Sequence, residues 1–242
     1  MSNDTYNDWL KDLAETSRVK QEHFMDGIAR RLKRPRLKSA PSHPFRGAPD
    51  YWREFQWSSE ERLEKFTVNF VDAGGHVIRL KDMEEVKTFI TNKASELNAQ
   101  YILRQNNEEL AAMGLEEVLE DKFISTWNED AEVDWKARAA EADIGVVIAD
   151  HAVAYTGSIT VLSSKDKGRS VSLLPTVLIA IIPVERMVTT LGEVLDHFDE
   201  AGRSTLPAGI HFISGPSRSA DIENDLTIGV HGPGVVFALL VG

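Results

Sequence analysis

The stretch Ala73-Gly74-Gly75-His76-Val77-Ile78-Arg79-Leu80-Lys81-Asp82-Met83-Glu84-Glu85-Val86 decides how this chain folds. Its glycines end a helix, His76 to Leu80 reads as a strand, and Asp82 with Glu85 three residues on opens the next helix. Upstream, Ser58 and Glu61 form a capping box, and Leu63, Phe66 and Phe70 make one apolar stripe. Thr67, Val68 and Val71 carry β-branched or strand-favouring character, but the stripe's period favours a helix there. Downstream, Met83, Val86, Ile90, Ala94 and Leu97 share one helix face. Tyr101 to Leu103 then reads as a strand, Asn107 to Glu120 as a helix, Phe123 to Thr126 as a strand and Val133 to Glu141 as a helix. Strand and helix alternating at this spacing predict an α/β fold, a largely parallel central sheet covered by helices on both faces.

The second half is richer in strands. Ile144 to Ile148, Ala152 to Ala154, Ser158 to Ser163 and Val177 to Ile182 are nearly continuously apolar, as central strands of such a sheet are. Thr190 and Glu193 form another capping box, with Leu191, Val194, Leu195 and Phe198 expected to face the core and Gly202 to stop the helix. Ile210 to Ile213 reads as a strand that Gly215-Pro216 breaks. Ser217, Ser219, Asp221 and Glu223 come next, residue types that favour a helix start. Leu226 to Val230 and Val235 to Val241 are joined by His231-Gly232-Pro233-Gly234, a turn rich in breakers. There is no internal repeat and no Gly-x-Gly-x-x-Gly, so a dinucleotide fold is not indicated.

Residues 1–57 differ in character from the remainder of the chain and are read as an N-terminal helical and basic extension ahead of an α/β domain over 58–242. Trp9, Leu10, Leu13, Phe24, Ile28 and Leu32 recur at helical spacings, one or two helices' worth. Arg30-Arg31-Leu32-Lys33-Arg34-Pro35-Arg36-Leu37-Lys38 places six cations in nine residues; without them the formal charge of −11 becomes −17 on the remainder. That segment is either a solvated basic arm or a docking element for an acidic partner or anionic ligand. Pro35, Pro41, Pro44 and Pro49 forbid one helix through to Asp50. Tyr51, Trp52, Phe55 and Trp57 form an aromatic cluster, read as a seal on the domain surface.

The net charge excludes general nucleic-acid binding, which needs a basic footprint. No apolar run reaches membrane-span length, and Met1-Ser2-Asn3-Asp4-Thr5-Tyr6 lacks the basic start and apolar core of a secretory signal, so the expected location is the cytoplasm. The chain has no cysteine. It therefore has no thiolate nucleophile and no cysteine ligands of its own for zinc or an iron–sulfur cluster. The seven histidines are scattered without metal-ligand spacing, so no metal site is expected.

What remains is anion chemistry. A strand running through Gly215, Pro216 and Ser217 into a helix start leaves N–H groups pointing outward beside Arg218, although a plain strand-to-helix connection fits the local sequence equally. Gly157 and Ser158 lie between two strands, where glycine permits the close approach of a ligand backbone, or a bulge. Ligands of open α/β sheets bind outside the carboxyl ends of strands. If loops 155–158, 168–172 and 214–218 converge there, Gly157, Ser158, Arg169, Gly215, Ser217 and Arg218 would suit a small carboxylate or phosphate. His231, on its tight turn, is the candidate acid or base, or else a side chain that organises the turn. No Gly-x-Ser-x-Gly elbow supports a serine triad.

Five blocks occur in order: Ala142 to Val146, Ala149 to Ser158, Gly168 to Pro175, Ile213 to Glu223, and Gly229 to Pro233. Together they resemble the lactate-utilisation protein C family, whose shared module is the LUD domain. The resemblance implies the fold of sugar-phosphate isomerases (NagB, RpiA), CoA transferases and formyltetrahydrofolate cyclo-ligases over roughly residues 60–241. It implies a non-redox subunit of an L-lactate-oxidising system that makes pyruvate, without a cofactor on this chain and with iron–sulfur clusters on a partner subunit. Family members often carry an acidic residue before the Thr-Gly, where this chain has Tyr155. A phenol cannot replace a carboxylate as nucleophile or base at neutral pH. The alternative is a stand-alone enzyme on a small organic acid or phosphorylated substrate.

Overall fold

The computed structural model describes residues 3–36, 39, 55–220 and 226–242. It divides into two compact units, Met1–Arg53 and Glu54–Gly242. In the first, helix α1 (Asn3–Arg31) is one uninterrupted element, and Leu10, Leu13, Phe24 and Ile28 lie on one stripe of it. Arg36 folds back on the helix, donating from Nη1 to Asp26 Oδ1 at 3.2 Å and to the Glu22 carbonyl at 3.3 Å. Leu37, Lys38, the later prolines of the extension, Tyr51 and Trp52 lie outside the described residues.

The second unit opens with α2 (Ser59–Asp72). Glu61 Oε2 accepts from the Ser58 amide at 2.8 Å and the Glu61 amide donates to Ser58 Oγ at 3.3 Å, so both arms of the expected capping box are present. After it come β1 (His76–Leu80), α3 (Met83–Glu96), β2 (Tyr101–Arg104), α4 (Glu108–Ala112), α5 (Leu115–Val118), β3 (Phe123–Thr126), α6 (Trp135–Glu141) and β4 (Ile144–Ile148). The single helix expected over 107–120 is broken in two. Gly114 takes a left-handed conformation, φ +56°, between α4 and α5, which an ordinary helix residue would resist.

Beyond β4 lie β5 (His151–Val153), β6 (Ser158–Leu162), α7 (Ser170–Leu173), β7 (Val177–Pro183), β8 (Met187–Val188), α8 (Leu191–Ala201), β9 (Ile210–Ile213), β10 (Arg218–Ala220), β11 (Leu226–Ile228) and β12 (Val235–Val241). Six of the strands form the central sheet in the order β1-β12-β7-β4-β2-β3. All its neighbours are parallel, with Val146 opposite Ile179 and Ile179 opposite Phe237. Successive side chains of a strand point to opposite faces, and both faces are covered. On one, Leu63, Phe66 and Phe70 of α2, Ala139 of α6 and Val171 of α7 pack with Leu103, Val147, Leu178, Ala180 and Ala238. On the other, Val86, Ile90 and Ala94 of α3, Leu110 of α4 and Leu115 of α5 pack with Ile102, Val146, Ile179 and Leu239. Phe66 and Phe70, fully buried and stacked at 5.4 Å, each contribute roughly 1.5–3 kcal/mol of burial.

Three expectations for the second half are corrected. β5 and β6 do not join the central sheet; with β8 and β9 they form a four-stranded sheet of order β8-β5-β6-β9. Only two residues, Ala149 and Asp150, separate β4 from β5, too few for the crossover that a parallel neighbour needs. Helix α8 buries Val194 but leaves Leu191 and Leu195 exposed, because a small sheet offers it only a narrow surface. Among the described residues, no helix starts after Gly215-Pro216. Arg218 to Ala220 pairs antiparallel with Leu226 to Ile228 as a two-stranded ribbon, where ladder hydrogen bonds replace the caps that Ser217 and Ser219 were expected to provide. Asp221 and Glu223 lie outside the described residues.

Candidate functional site

Gly157 and Ser158 meet Gly215 at the end of α2. Gly157 is buried at φ +58°, and a Cβ there would stand 2.7 Å from the Phe70 nitrogen and 2.8 Å from the Asn69 carbonyl carbon. The close approach that this glycine permits is therefore to the last turns of α2. Asn69 clamps the same loop, donating from Nδ2 to the carbonyls of Ala154 at 2.9 Å and Tyr155 at 3.0 Å. Ser158 is 4% exposed; its hydroxyl donates to Thr156 Oγ1 at 2.8 Å and lies 2.7 Å from Ser214 Oγ. Gly215, φ +106°, crosses the Ala73 carbonyl so closely that a Cβ would stand 3.0 Å from it. Tyr155 packs edge-on against Phe55, which in turn meets Trp57, and Trp57 lies against the core. Phe55 and Trp57 thus seal the unit's surface.

Ser217, Arg218 and His231 form an adjoining group on the far side of the same turn. The Ser217 amide donates to the Pro233 carbonyl at 2.8 Å, and the Gly229 amide donates to the Ser217 carbonyl at 2.9 Å. The His231 amide donates to Ser217 Oγ at 3.4 Å. Arg218 lays its guanidinium over Gly74, where a Cβ would come within 2.5 Å of Nη2. This group sits at the amino edge of the central sheet, not at the carboxyl ends where the sequence put it. The turn leads directly into β12, the Gly234 amide donates to the Thr176 carbonyl at 2.9 Å, and Val235 opposite Val177 begins both parallel strands. The Ser217 amide, expected to point outward, is used internally on the Pro233 carbonyl. What faces solvent is the guanidinium of Arg218, with no acidic partner among the described residues, and the exposed His231.

Arg169 stands apart from both groups. It is exposed at the start of α7, and its charge acts on His211. His211 Nε2 lies 2.9 Å from Ser163 Oγ, at the end of the β6–β9 pair opposite to Ser158, with Ser163 roughly 16 Å from Ser158 by strand rise. Burial first, and Arg169 second, push His211 below the usual imidazole range. His151 is likewise held low by burial and by His197, whose ring stacks on it at 5.4 Å; Arg186 adds to the effect and Asp150 opposes it. Among the described residues no group of three or more histidines and carboxylates stands close enough to hold a metal ion.

Four polar residues that do lie at the carboxyl edge were passed over in the sequence. Gln105 follows β2, Asp150 follows β4, Lys167 lies in the loop after β6, and Arg186 follows β7. Asp150 Oδ1 holds Lys167 Nζ at 2.7 Å, and Arg186 Nη1 donates to the Ala149 carbonyl at 3.0 Å. A buried apolar run that ends on an acid, Ile144 to Asp150, was the available signal.

A parallel six-stranded sheet with helices on both faces and a small second sheet appended defines an α/β domain with polar loops gathered at both sheet edges. A family model described as "LUD domain" matches residues 63–241, and the chain belongs to that family. It is 33% identical to "Lactate utilization protein C" of Halalkalibacterium halodurans over 217 residues, 88% of this chain and 94% of that one. It is 31% identical to the protein of the same name from Shouchella clausii, covering 88% and 93%, and 30% identical to that of Bacillus subtilis, covering 88% and 92%. In fold it resembles the crystal structure of a DUF162 family protein from Deinococcus radiodurans, TM-score 0.55 at 20% identity over 77% of this chain and 99% of that one.

Proposed function

We propose that this chain serves lactate utilisation as the non-redox subunit of an iron–sulfur-dependent system that oxidises L-lactate to pyruvate and permits growth on lactate. The observation that carries the reading is the match, along 88% of the chain, to proteins named for lactate utilisation. The absence of cysteine accords with clusters carried by a partner subunit. Within this chain, the groups offered to a small carboxylate or phosphate are the guanidinium of Arg218, the hydroxyl of Ser217 and the imidazole of His231. Gly157, Ser158 and Gly215 shape the turn behind them, and Arg169 serves at a distance or not at all. No helix among the described residues is long and apolar enough to cross a membrane, and the proposed place of work is the cytoplasm.

A strain lacking this chain is expected to fail on L-lactate while growing normally on pyruvate; unimpaired growth on L-lactate would contradict the reading. A second reading, a stand-alone enzyme on a small organic acid or phosphorylated substrate, draws on His231 and Arg218, both exposed and both beside Ser217. Turnover by the purified chain without partners would favour it.

A further inference from the structure

The order of the central sheet contains a reversal. From β2 the chain moves outward to β3 through α4 and α5, which pack on one face; from β4 it moves the other way to β7 through α7, on the opposite face. β2 and β4 are neighbours, so their carboxyl ends flank the place where successive connections leave on opposite sides. In open α/β sheets such a switch point opens a crevice that takes a ligand.

Gln105 occupies that place. It is fully buried, its Oε1 accepts the Ile148 amide at 2.9 Å, and its Nε2 has no hydrogen-bond partner among the described residues. The Ile148 N–H fixes the amide's orientation, so the unpaired group is the donor. Buried donors without partners are uncommon, and each calls for an acceptor. Gln105 shares a sheet face with Leu103, the face that carries β5 and β6. Above it lies the loop after β6, held by the Asn106 amide on the Asp166 carbonyl at 3.0 Å, Trp127 Nε1 on the Lys165 carbonyl at 3.1 Å and Lys167 on Asp150. Lys167 commits one of its three N–H donors to Asp150, and Arg186 reaches the same edge from β7.

We infer that this crevice is a second binding site, separate from the Arg218 turn, and that it takes a small carboxylate. The carboxylate accepts from Gln105 Nε2 and from the free donors of Lys167, with Arg186 adding positive charge. Entry lifts the 163–167 loop, which moves the indole of Trp127. The site does not depend on the lactate reading, so the probes include acetate, which is neither substrate nor product of lactate oxidation.

The test is titration of the full chain with acetate, pyruvate and inorganic phosphate, followed by calorimetry and by tryptophan fluorescence. Acetate and pyruvate are expected to bind and to change a fluorescence signal that the Trp127→Phe variant lacks. Lys167→Gln and Gln105→Glu, which keeps the acceptor for Ile148 but turns the donor into an anion, are expected to weaken both carboxylates at least about tenfold. Should Gln105→Glu fail to fold, Lys167→Gln decides. No carboxylate binding, or binding indifferent to Lys167→Gln, overturns the site. Acetate binding together with normal growth on L-lactate in the deletion strain would uphold the site and sink the lactate reading.

Discussion

At the scale of single residues, Gly157 is the sharpest test of how the chain closes on itself. Its φ of +58° and the 2.7 Å that a Cβ would have from Phe70 nitrogen predict that Gly157→Ala destabilises the fold by about 1–3 kcal/mol, read as a lower urea midpoint. A midpoint equal to wild type would mean that the turn tolerates a side chain. The two depressed histidines set a pH dependence. With folded pKa values below the ordinary imidazole value, His151 and His211 bind protons more readily in the unfolded chain. Stability should therefore be full above the unfolded pKa of about 6.5 and fall as pH drops through and below it. His211→Asn should flatten part of that fall below about pH 6.5; an unchanged slope would contradict the assignment. The need for glycine at 157 was legible, as room for a ligand backbone or a bulge. That the approaching group is helix α2 was not, because contacts between residues 70 and 157 leave no mark in local sequence.

At the scale of elements, capping boxes and stripes read well because they are local. Ser58 and Glu61 stand three residues apart and make the bonds their spacing implies. Ser58→Ala should cost about 1 kcal/mol, measured by chemical denaturation, with no change in ligand binding. The elements that misread are those whose partners are distant. Arg218 to Ala220 has helix-start chemistry in sequence, yet Leu226 to Ile228 captures it as a ribbon. The 107–120 segment has a continuous helical pattern, but Gly114 supplies a left-handed hinge that lets α4 and α5 both reach the core. Gly114→Ala should destabilise by about 1 kcal/mol, and a gain in stability would show that the hinge is not required.

At the scale of the molecule, alternation was enough to predict a parallel sheet with both faces covered, since only that architecture buries so many apolar strands. The order of its strands was not legible, and with it went the position of the site. The Ser217 and Arg218 turn lies at the amino edge because β12, last in the chain, inserts between β1 and β7. Arg218→Ala should weaken phosphate or carboxylate binding at that turn with little loss of stability, since the side chain is exposed; unchanged affinity for both would remove the turn from the account.

The most direct test of the central claim, that this chain works beside an electron-carrying partner and does not carry electrons itself, is purification of the tagged chain from cells grown on L-lactate. Iron and acid-labile sulfide are then assayed in what accompanies it. The account predicts a co-purifying iron–sulfur protein and lactate oxidation only in its presence. A chain that comes down alone and oxidises lactate unaided would contradict it.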